Sequence, residues 1–201
     1  MSTLTLEQVS VGALRDVSLA VQGGEILCLS GPSGSGKSRL LRAIADLDPH
    51  QGQVRLDDME QGTVPGHRWR QRVMMVPADS QWWFEQVGEH FQPTLPQVPD
   101  ALGFPADVLA WPVVRLSSGE RQRLALLRAL ARKPAVLLLD EPTANLDEEM
   151  VERVEAWLKA EIRRRNIIVF WVAHDSAQIL RVADRHYRLV GHQLEVAHGS
   201  H

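Results

Sequence analysis

The segment GPSGSGKS, residues 31–38, constrains the fold of this chain more than any other feature. It has a glycine, four residues and then Gly-Lys-Ser, and it lies between the apolar run EILCLS and a helical pattern. Glycines can adopt backbone conformations that are closed to other residues, so successive N–H groups can turn toward a polyphosphate. Lys37 can then reach the β- and γ-phosphates, and the Ser38 hydroxyl is suited to Mg²⁺. The pattern predicts a phosphate site between a strand and a helix whose positive end faces the anion.

Length and composition indicate one globular domain. The chain has 201 residues, of which 44% are hydrophobic, and its net charge of −3 argues against a free-standing nucleic-acid binder. A single cysteine, Cys28, excludes an internal disulfide and favours a reducing compartment. The first ten residues lack the basic start and apolar run of a signal peptide, and the run at 167–173 is too short to cross a bilayer. We expect a cytoplasmic protein that reaches a membrane only through a partner.

The order of apolar segments predicts an α/β fold. Residues 4–9 and 17–21 are typical of an antiparallel pair, and the segments YRLV and QLEV are typical of a closing β-pair. After the phosphate loop, strands and helices alternate, which predicts a P-loop NTPase with a mainly parallel core sheet and an N-terminal antiparallel β-subdomain. The predicted strands of the core are 25–30, 72–77, 135–140 and 167–174, with a short strand at 53–56. Three helices are predicted to begin at Lys37, Ser117 and Asp147, and a fourth, short helix is predicted at 176–183.

Two stretches give weaker patterns. Residues 57–70 are polar and predict a loop, and the arginines around Trp69 favour a solvated edge over a nucleic-acid site. Residues 80–115 contain repeated prolines, which predict a small inserted helical subdomain. Near its start, Trp82, Trp83 and Phe84 form either the core of that subdomain or the apolar lip of an interface, and we favour the interface as a hypothesis.

Further residues have the chemistry of nucleotide hydrolysis. Asp140 ends an apolar strand, where a carboxylate can hold Mg²⁺, and Glu141 beside it can polarise an attacking water. The segment LSSGE, residues 116–120, opens a helix with small and hydroxyl residues and forms a second amide-rich anion site without a lysine. Each pattern alone also fits an ordinary capped helix or strand end.

In combination, these motifs resemble the nucleotide-binding subunit of ATP-binding cassette (ABC) ATPases over nearly the whole chain. GPSGSGKS is similar to the Walker A loop, LSSGE to the signature LSGGQ and VLLLDEP to the Walker B strand with its glutamate. ANLD at 144–147 resembles the D-loop, and the histidine in VAHD resembles the switch histidine. Five motifs in the correct order are far more specific than any one.

The resemblance implies a mechanism in which two cassettes enclose two ATP molecules. Glu141 would orient or deprotonate water, His174 would hold the γ-phosphate, Lys37 would neutralise charge, and Asp147 would couple the two sites. The ATP-binding loop would comprise Gly31, Pro32, Ser33, Gly34, Ser35, Gly36, Lys37, Ser38 and Arg39, with Ser38 and Asp140 on Mg²⁺. The signature of one protomer, Ser117, Ser118, Gly119 and Glu120, would face ATP on the other. The implied partners are a second copy or a homologous cassette and an integral membrane permease, with no direct nucleic-acid contact.

Two departures from the family pattern affect what is expected. Ala78 stands where a glutamine usually follows the strand, and Gln81 or Asp79 would have to reach the metal unless water takes that role. Residues 1–30 contain no aromatic residue to stack on adenine, and Val11 lies near the expected position. The sequence therefore predicts weak discrimination between purine bases.

Two other functions remain open at this level. A soluble ABC ATPase acting on nucleic acid, the ribosome or cofactor assembly is compatible with Ala78, although the chain has one cassette and no coiled-coil insertion or basic extension. A P-loop small-molecule kinase fits the phosphate loop but leaves Glu141, His174 and LSSGE unexplained. The favoured function is an ATPase subunit at the cytoplasmic face of a membrane that powers a separately encoded permease.

Overall fold

The computed structural model describes residues 2–91 and 93–197, which form two β-sheets and the helices packed on them. The strands are Thr3–Val11 (β1), Leu14–Gln22 (β2), Ile26–Ser30 (β3), Gln51–Leu56 (β4), Met59–Glu60 (β5), Val73–Val76 (β6), Val136–Asp140 (β7), Ile168–Val172 (β8), Arg185–Val190 (β9) and Gln193–Val196 (β10). The α-helices are Lys37–Ile44 (α1), Gly66–Arg72 (α2), Ser118–Ala131 (α3), Glu148–Arg165 (α4) and Ser176–Val182 (α5).

The larger sheet has the strand order β10-β9-β3-β8-β7-β6 and is parallel except for the terminal β9–β10 pair. Strands β3, β8 and β7 are neighbours, so their carboxyl ends lie at one edge. Ser30, Asp140 and Val172 are the last residues of these three strands. This edge is where ligands bind in parallel α/β sheets. The predicted α/β class with a mainly parallel core sheet is confirmed.

The smaller sheet is antiparallel, with the order β2-β1-β4-β5. It contains the predicted N-terminal pair and the predicted short strand as β1, β2 and β4. The closing pair is also present as β9 and β10, which join the parallel sheet instead.

Both faces of the parallel sheet are buried, and its central strands β3, β7 and β8 are apolar except at the last residues of β3 and β7, Ser30 and Asp140. Alternate residues of β8 point to opposite sides: Phe170 lies in the core shared with α1, and Trp171 lies in the core shared with α3, α4 and α5. Burial on both faces explains why these strands are continuous apolar runs without an alternating pattern.

The prediction of a loop over 57–70 is wrong in part. The chain there forms β5, a short 3₁₀ helix and the start of α2. Trp69 is fully buried, and its Nε1–H donates to the carbonyl of Ile44 at 2.8 Å. The polar composition of this segment predicts a loop, but the buried Trp69 packs α2 against the core.

The proline-rich stretch before α3 contains four 3₁₀ helices and no α-helix among its described residues (80–91 and 93–115). Proline lacks an N–H donor and restricts the preceding residue, which keeps each helical piece to a few residues. The sequence predicts an inserted α-helical subdomain here; the helices are 3₁₀ and not α, and the division into a subdomain stays a prediction. The apolar residues of this stretch, including Val87, Phe91 and Leu102, pack on α3 and its neighbours in the second core.

Candidate nucleotide site

The phosphate loop joins β3 to α1 and has a backbone that requires glycine. Gly31, Gly34 and Gly36 all have positive φ, as the sequence predicts. At Gly31 a Cβ would also lie 2.9 Å from the carbonyl oxygen of Leu189. The N-terminus of α1 follows Gly36 without a side-chain cap, so its first N–H groups lack the usual side-chain acceptor and remain available to an anion.

Lys37 is buried within this loop. Its side chain is 5% exposed, and Nζ donates to the carbonyl oxygens of Gly31 and Pro32, each at 2.9 Å. Burial lowers the pKa of Lys37, and the charges of Glu141 and Asp140 act in the opposite direction. The loop therefore holds an ammonium group beside two carboxylates at the edge of the sheet.

Asp140 is buried at the end of β7, and burial raises the pKa of its carboxyl. The nearby hydroxyl of Ser38 acts in the opposite direction and favours the charged form of this carboxyl. A hydroxyl and a carboxylate are oxygen donors of the kind that Mg²⁺ takes. Residues 2–91 and 93–197 contain no group of three or more His, Cys, Asp or Glu side chains that could hold a metal ion.

Glu141 and His174 are brought together although 33 residues separate them. Nε2–H of His174 donates to Oε1 of Glu141 at 2.7 Å. Glu141 has a φ of 49°, a left-handed conformation that is strained for a residue with a side chain and is concentrated at functional sites. A cavity of about 210 Å³ adjoins the pair and is also lined by Thr143 and Gln178.

The start of α3 contains a complete capping box. The Ser117 hydroxyl accepts from the N–H of Glu120 at 3.2 Å, and the Glu120 carboxylate accepts from the N–H of Ser117 at 2.8 Å. A Cβ on Gly119 would lie 2.7 Å from the carbonyl oxygen of Asn145. The LSSGE segment is thus packed against the ANLD segment of the same chain, where Asp147 caps α4 by accepting from the N–H of Met150 at 2.9 Å.

The structure brings the phosphate loop, Asp140, Glu141 and His174 to one edge of the sheet. The loop that contains Ala78 is arranged differently: Nε2 of Gln81 lies 3.4 Å from Asp79 Oδ2, and the Gln81 carbonyl accepts from Arg128. The cavity beside Glu141 and His174 has no lining residue from this loop among the described residues.

No aromatic side chain lies at the position where the family pattern stacks a ring on the adenine base. Val11 is 5% exposed and packs in the core, so its side chain does not face a base. The guanidinium of the exposed Arg39 lies against the turn after β1, since a Cβ on Gly12 would lie 2.5 Å from Arg39 Nη1. Polar atoms of the phosphate loop are also unused: the Ser35 hydroxyl is buried and has no hydrogen-bond partner in the described protein.

Sequence reasoning missed three polar residues. Thr143 and Gln178 line the cavity beside Glu141 and His174, and in the aromatic loop His90 accepts from the N–H groups of Trp83 and Phe84 at 2.9 and 3.0 Å. Gln178 lies four residues after His174, near the start of α5, and this position was the available signal. His90 and Thr143 lie in no sequence pattern that predicts their contacts.

Comparisons with known proteins agree with these observations. A family model described as ABC transporter matches residues 14–144. The Fe(3+) ions import ATP-binding protein FbpC of Streptomyces coelicolor is 36% identical over 205 residues, which covers 92% of this chain and 58% of that protein. The sulfate/thiosulfate import ATP-binding protein CysA of Nitrosomonas europaea is 37% identical, with coverage of 88% and 53%.

Similarity extends to an archaeal protein and to a solved structure. The trehalose/maltose import ATP-binding protein MalK of Thermococcus litoralis is 34% identical over 87% of this chain and 52% of its own length. The chain thus spans 52 to 58% of the length of these curated relatives. A bacterial Atm1-family ABC exporter with ATP bound has the same fold, with a TM-score of 0.84, 24% identity and coverage of 99% of this chain and 38% of that one.

Proposed function

The chain belongs to the ABC transporter family, and on that premise we propose that it binds and hydrolyses ATP to power transport through a separate membrane permease. The observation that carries the proposal is the 2.7 Å hydrogen bond between His174 and Glu141 beside the phosphate loop. It unites a carboxylate that can orient water with an imidazole that can contact the terminal phosphate. Among the described residues, no helix is long and apolar enough to span a bilayer.

In the proposed reaction each residue has one task. The N–H groups of the phosphate loop and the ammonium of Lys37 bind the β- and γ-phosphates, and the unpartnered Ser35 hydroxyl can donate to a phosphate oxygen. Glu141 accepts a proton from, or orients, the attacking water, and His174 contacts the γ-phosphate from its position beside Glu141. Ser38 and Asp140 would hold Mg²⁺, which supplies charge neutralisation to the transferred phosphate.

We further propose that the active form is a dimer of two such chains or of this chain with a homologous cassette. The segment containing Ser117, Ser118, Gly119 and Glu120 would contact ATP held by the partner. The capping box uses the Ser117 oxygen as an acceptor, and the hydroxyl hydrogen remains free to donate to a γ-phosphate oxygen. Asp147, whose carboxylate caps α4 close to this segment, would couple the two sites.

The aromatic residues before the 3₁₀ helices suit contact with the permease at the cytoplasmic face of the membrane. Trp83 and Phe84 are 65% and 47% exposed, whereas Trp82 is partly buried against the core. His90 packs edge-on to all three rings, with centroids 4.7 to 5.0 Å apart, and holds the loop through the N–H groups of Trp83 and Phe84. The interface hypothesis is thus retained for Trp83 and Phe84, and Trp82 supports the loop from the core.

This interface is tested by replacing Trp83 and Phe84 with serine. We expect the variant to remain folded and to lose co-purification with an integral membrane protein, because it keeps Trp82 and His90. Leu180→Ser is the matched control, since Leu180 is 74% exposed on α5. Equal co-purification of both variants would contradict this interface, and no membrane partner for the wild-type protein would favour the soluble ABC ATPase.

The hydrolytic proposal is tested with Glu141→Gln. Removing the carboxylate should lower kcat by about 10²- to 10⁴-fold, the range of general base catalysis, while ATP still binds. Trapped ATP should convert the variant from monomer to dimer in size-exclusion light scattering with Mg-ATP. Lys37→Ala serves as the control that should remain monomeric. An ATP-bound monomer would mean that dimerisation requires a membrane scaffold or that Ala78 and Ser118 prevent closure, and unchanged hydrolysis would refute the role of Glu141.

A further inference from the structure

A buried carboxylate on α4 is not used by the proposed reaction. Glu155 is 3% exposed and accepts hydrogen bonds from two side chains of α5. Arg181 donates from Nε to Oε2 at 2.7 Å and from Nη2 to Oε1 at 3.0 Å, and Gln178 donates to Oε1 at 2.8 Å. A buried charge is costly unless it is paired and hydrogen-bonded, and this carboxylate has both kinds of partner. It therefore anchors α5 on α4.

The same network reaches the loop that contains Glu141. Nε2 of Gln178 also donates to the hydroxyl oxygen of Thr143 at 2.7 Å, and both side chains are buried. Thr143 lies two residues after Glu141, and Gln178 lies four residues after His174. Thr143 and Gln178 line the cavity that Glu141 and His174 also line. Gln178 is thus a bridge between the loops that follow β7 and β8.

We propose that Glu155, Gln178 and Thr143 are positioning residues that hold Glu141 and His174 in hydrogen-bonding contact. This inference rests on the hydrolytic role proposed for that pair. Glu141 has a strained backbone, which persists only where the surrounding structure over-determines it. The loop after β7 leads into α4 and the loop after β8 leads into α5, and the Thr143–Gln178 hydrogen bond links the first loop directly to α5. Glu155 fixes the Gln178 amide so that its second hydrogen points to Thr143.

Two charged side chains of this region, Asp175 and Arg181, hold α5 in place. Asp175 caps α5 by accepting from the N–H groups of Ala177 and Gln178 at 3.0 and 3.2 Å. The hydrogen bond with Glu155 raises the pKa of Arg181, so the Arg181 guanidinium remains charged at neutral pH.

The first test is Gln178→Leu, which removes both amide hydrogen bonds and leaves Glu155 paired with Arg181. A displacement of about 1 Å at a reacting group can cost about a hundredfold in rate, so we expect kcat to fall tenfold or more while KM for ATP changes less than twofold. In a His174→Ala background the same change should have little further effect on kcat. Thr143→Val should reproduce the loss, and Thr143→Ser, which keeps the hydroxyl, should restore the rate.

Gln61→Leu is the matched control. Gln61 is also a buried glutamine, 5% exposed, and its amide donates to the carbonyls of Ala43 and Ile44 at the far end of α1. Its effect on kcat should combine multiplicatively with His174→Ala, because it does not act through that residue. If Gln178→Leu is also multiplicative with His174→Ala, or if Thr143→Ser fails to restore the rate, the positioning role is refuted.

A second readout does not depend on hydrolysis. The imidazole NMR resonances of His174 should shift in Gln178→Leu and Thr143→Val and remain at their wild-type positions in Gln61→Leu and Thr143→Ser. Unshifted resonances in all four variants would overturn the inference. If the wild-type protein fails to hydrolyse Mg-ATP, the proposed function is refuted, and the NMR comparison alone decides whether the network positions His174.

Discussion

The N-termini of helices α1 and α3 contrast in how their polar groups are satisfied. At α1 there is no side-chain cap, Lys37 and Asp140 are buried charges, and the Ser35 hydroxyl lacks a partner. At α3, Ser117 and Glu120 satisfy each other's N–H groups. The sequence predicts an anion site at both glycine-containing segments, but only the segment at α3 has its N–H groups paired with side chains of the same chain. The segment at α1 has polar groups without partners in the described chain, as expected of the proposed nucleotide site, and the segment at α3 has its terminal N–H groups satisfied within the chain.

The pKa directions support the same contrast. Burial lowers the pKa of Lys37 and raises that of Asp140, so each charged form is disfavoured by its environment without nucleotide. Such perturbed groups are concentrated at sites where a ligand compensates for them. Substitutions at α1 should therefore affect function more than stability, and substitutions at α3 should do the reverse in the isolated chain.

The largest expected effect is that of Lys37→Ala on ATP binding. Loss of the ammonium that we propose to contact two phosphates should weaken binding by about a hundredfold, or about 2.8 kcal/mol. Isothermal titration calorimetry with Mg-ATP measures the change. Lys133→Ala is the control because Lys133 lies in the turn after α3, away from the loop. Similar affinities for the two variants would break the contrast between α1 and α3.

The next effect is that of Gly119→Ala on stability. The added Cβ would lie 2.7 Å from the carbonyl oxygen of Asn145 and 3.0 Å from a methyl of Leu146. Overpacking of this kind costs about 1 to 3 kcal/mol, which urea denaturation would detect. At Gly62 a Cβ has no neighbour within 4 Å, so Gly62→Ala should retain wild-type stability. An equally stable Gly119→Ala protein would mean that this glycine serves only the partner's nucleotide.

The capping box predicts a smaller loss. Ser117→Ala should lower the free energy of unfolding by about 1 kcal/mol, the usual value of an N-cap side chain. Glu120→Gln should be nearly neutral, because glutamine also serves in a capping box. Thermal denaturation without nucleotide compares the two. If Glu120→Gln is as damaging as Ser117→Ala, then the charge of Glu120, and not its hydrogen bond, stabilises α3.

Asp140→Asn should raise the free energy of unfolding of the nucleotide-free protein slightly, by less than the loss expected for Ser117→Ala. Burial raises the pKa of Asp140, so the folded protein favours the neutral carboxyl, which asparagine resembles. Without nucleotide, the variant should unfold at a slightly higher temperature near neutral pH and should lose hydrolysis. Wild-type Asp140 binds its proton in the folded state first, so the stability difference should shrink on acidification through its raised pKa. A difference that grows on acidification would show the opposite sign of the shift.

The smallest expected effect concerns the base. The contacts proposed at the N-termini of α1 and α3 are to the phosphates of the nucleotide and not to its base. Val11, at the position where an aromatic ring would stack on the base, is buried. Hydrolysis of ATP and GTP should therefore differ by less than about tenfold, or about 1.4 kcal/mol. Steady-state kcat/KM with each nucleotide measures this ratio. A strong preference for ATP would reveal a base contact that the phosphate-centred comparison omits.

Much of the fold was predictable because its signals are local. Apolar runs marked β3, β7 and β8, and Ser117, Asp147 and the glycines marked where helices begin. The α2 helix was missed because Trp69 is buried by residues distant in the chain. Its indole N–H donates to the carbonyl of Ile44, which is 25 residues away. The aromatic loop was ambiguous for a similar reason: Trp82 packs on the core while its neighbours Trp83 and Phe84 are exposed.

The sequence by itself determined the positive-φ glycines of the phosphate loop, the parallel strands and the residue types available at their ends, because these depend on backbone preference and on the spacing of apolar residues. Only the tertiary structure decided that Glu141 meets His174, that Gly119 lies against Asn145 and that Gln178 joins Glu155 to Thr143. These contacts depend on strand order and helix packing, which bring together residues far apart in the chain.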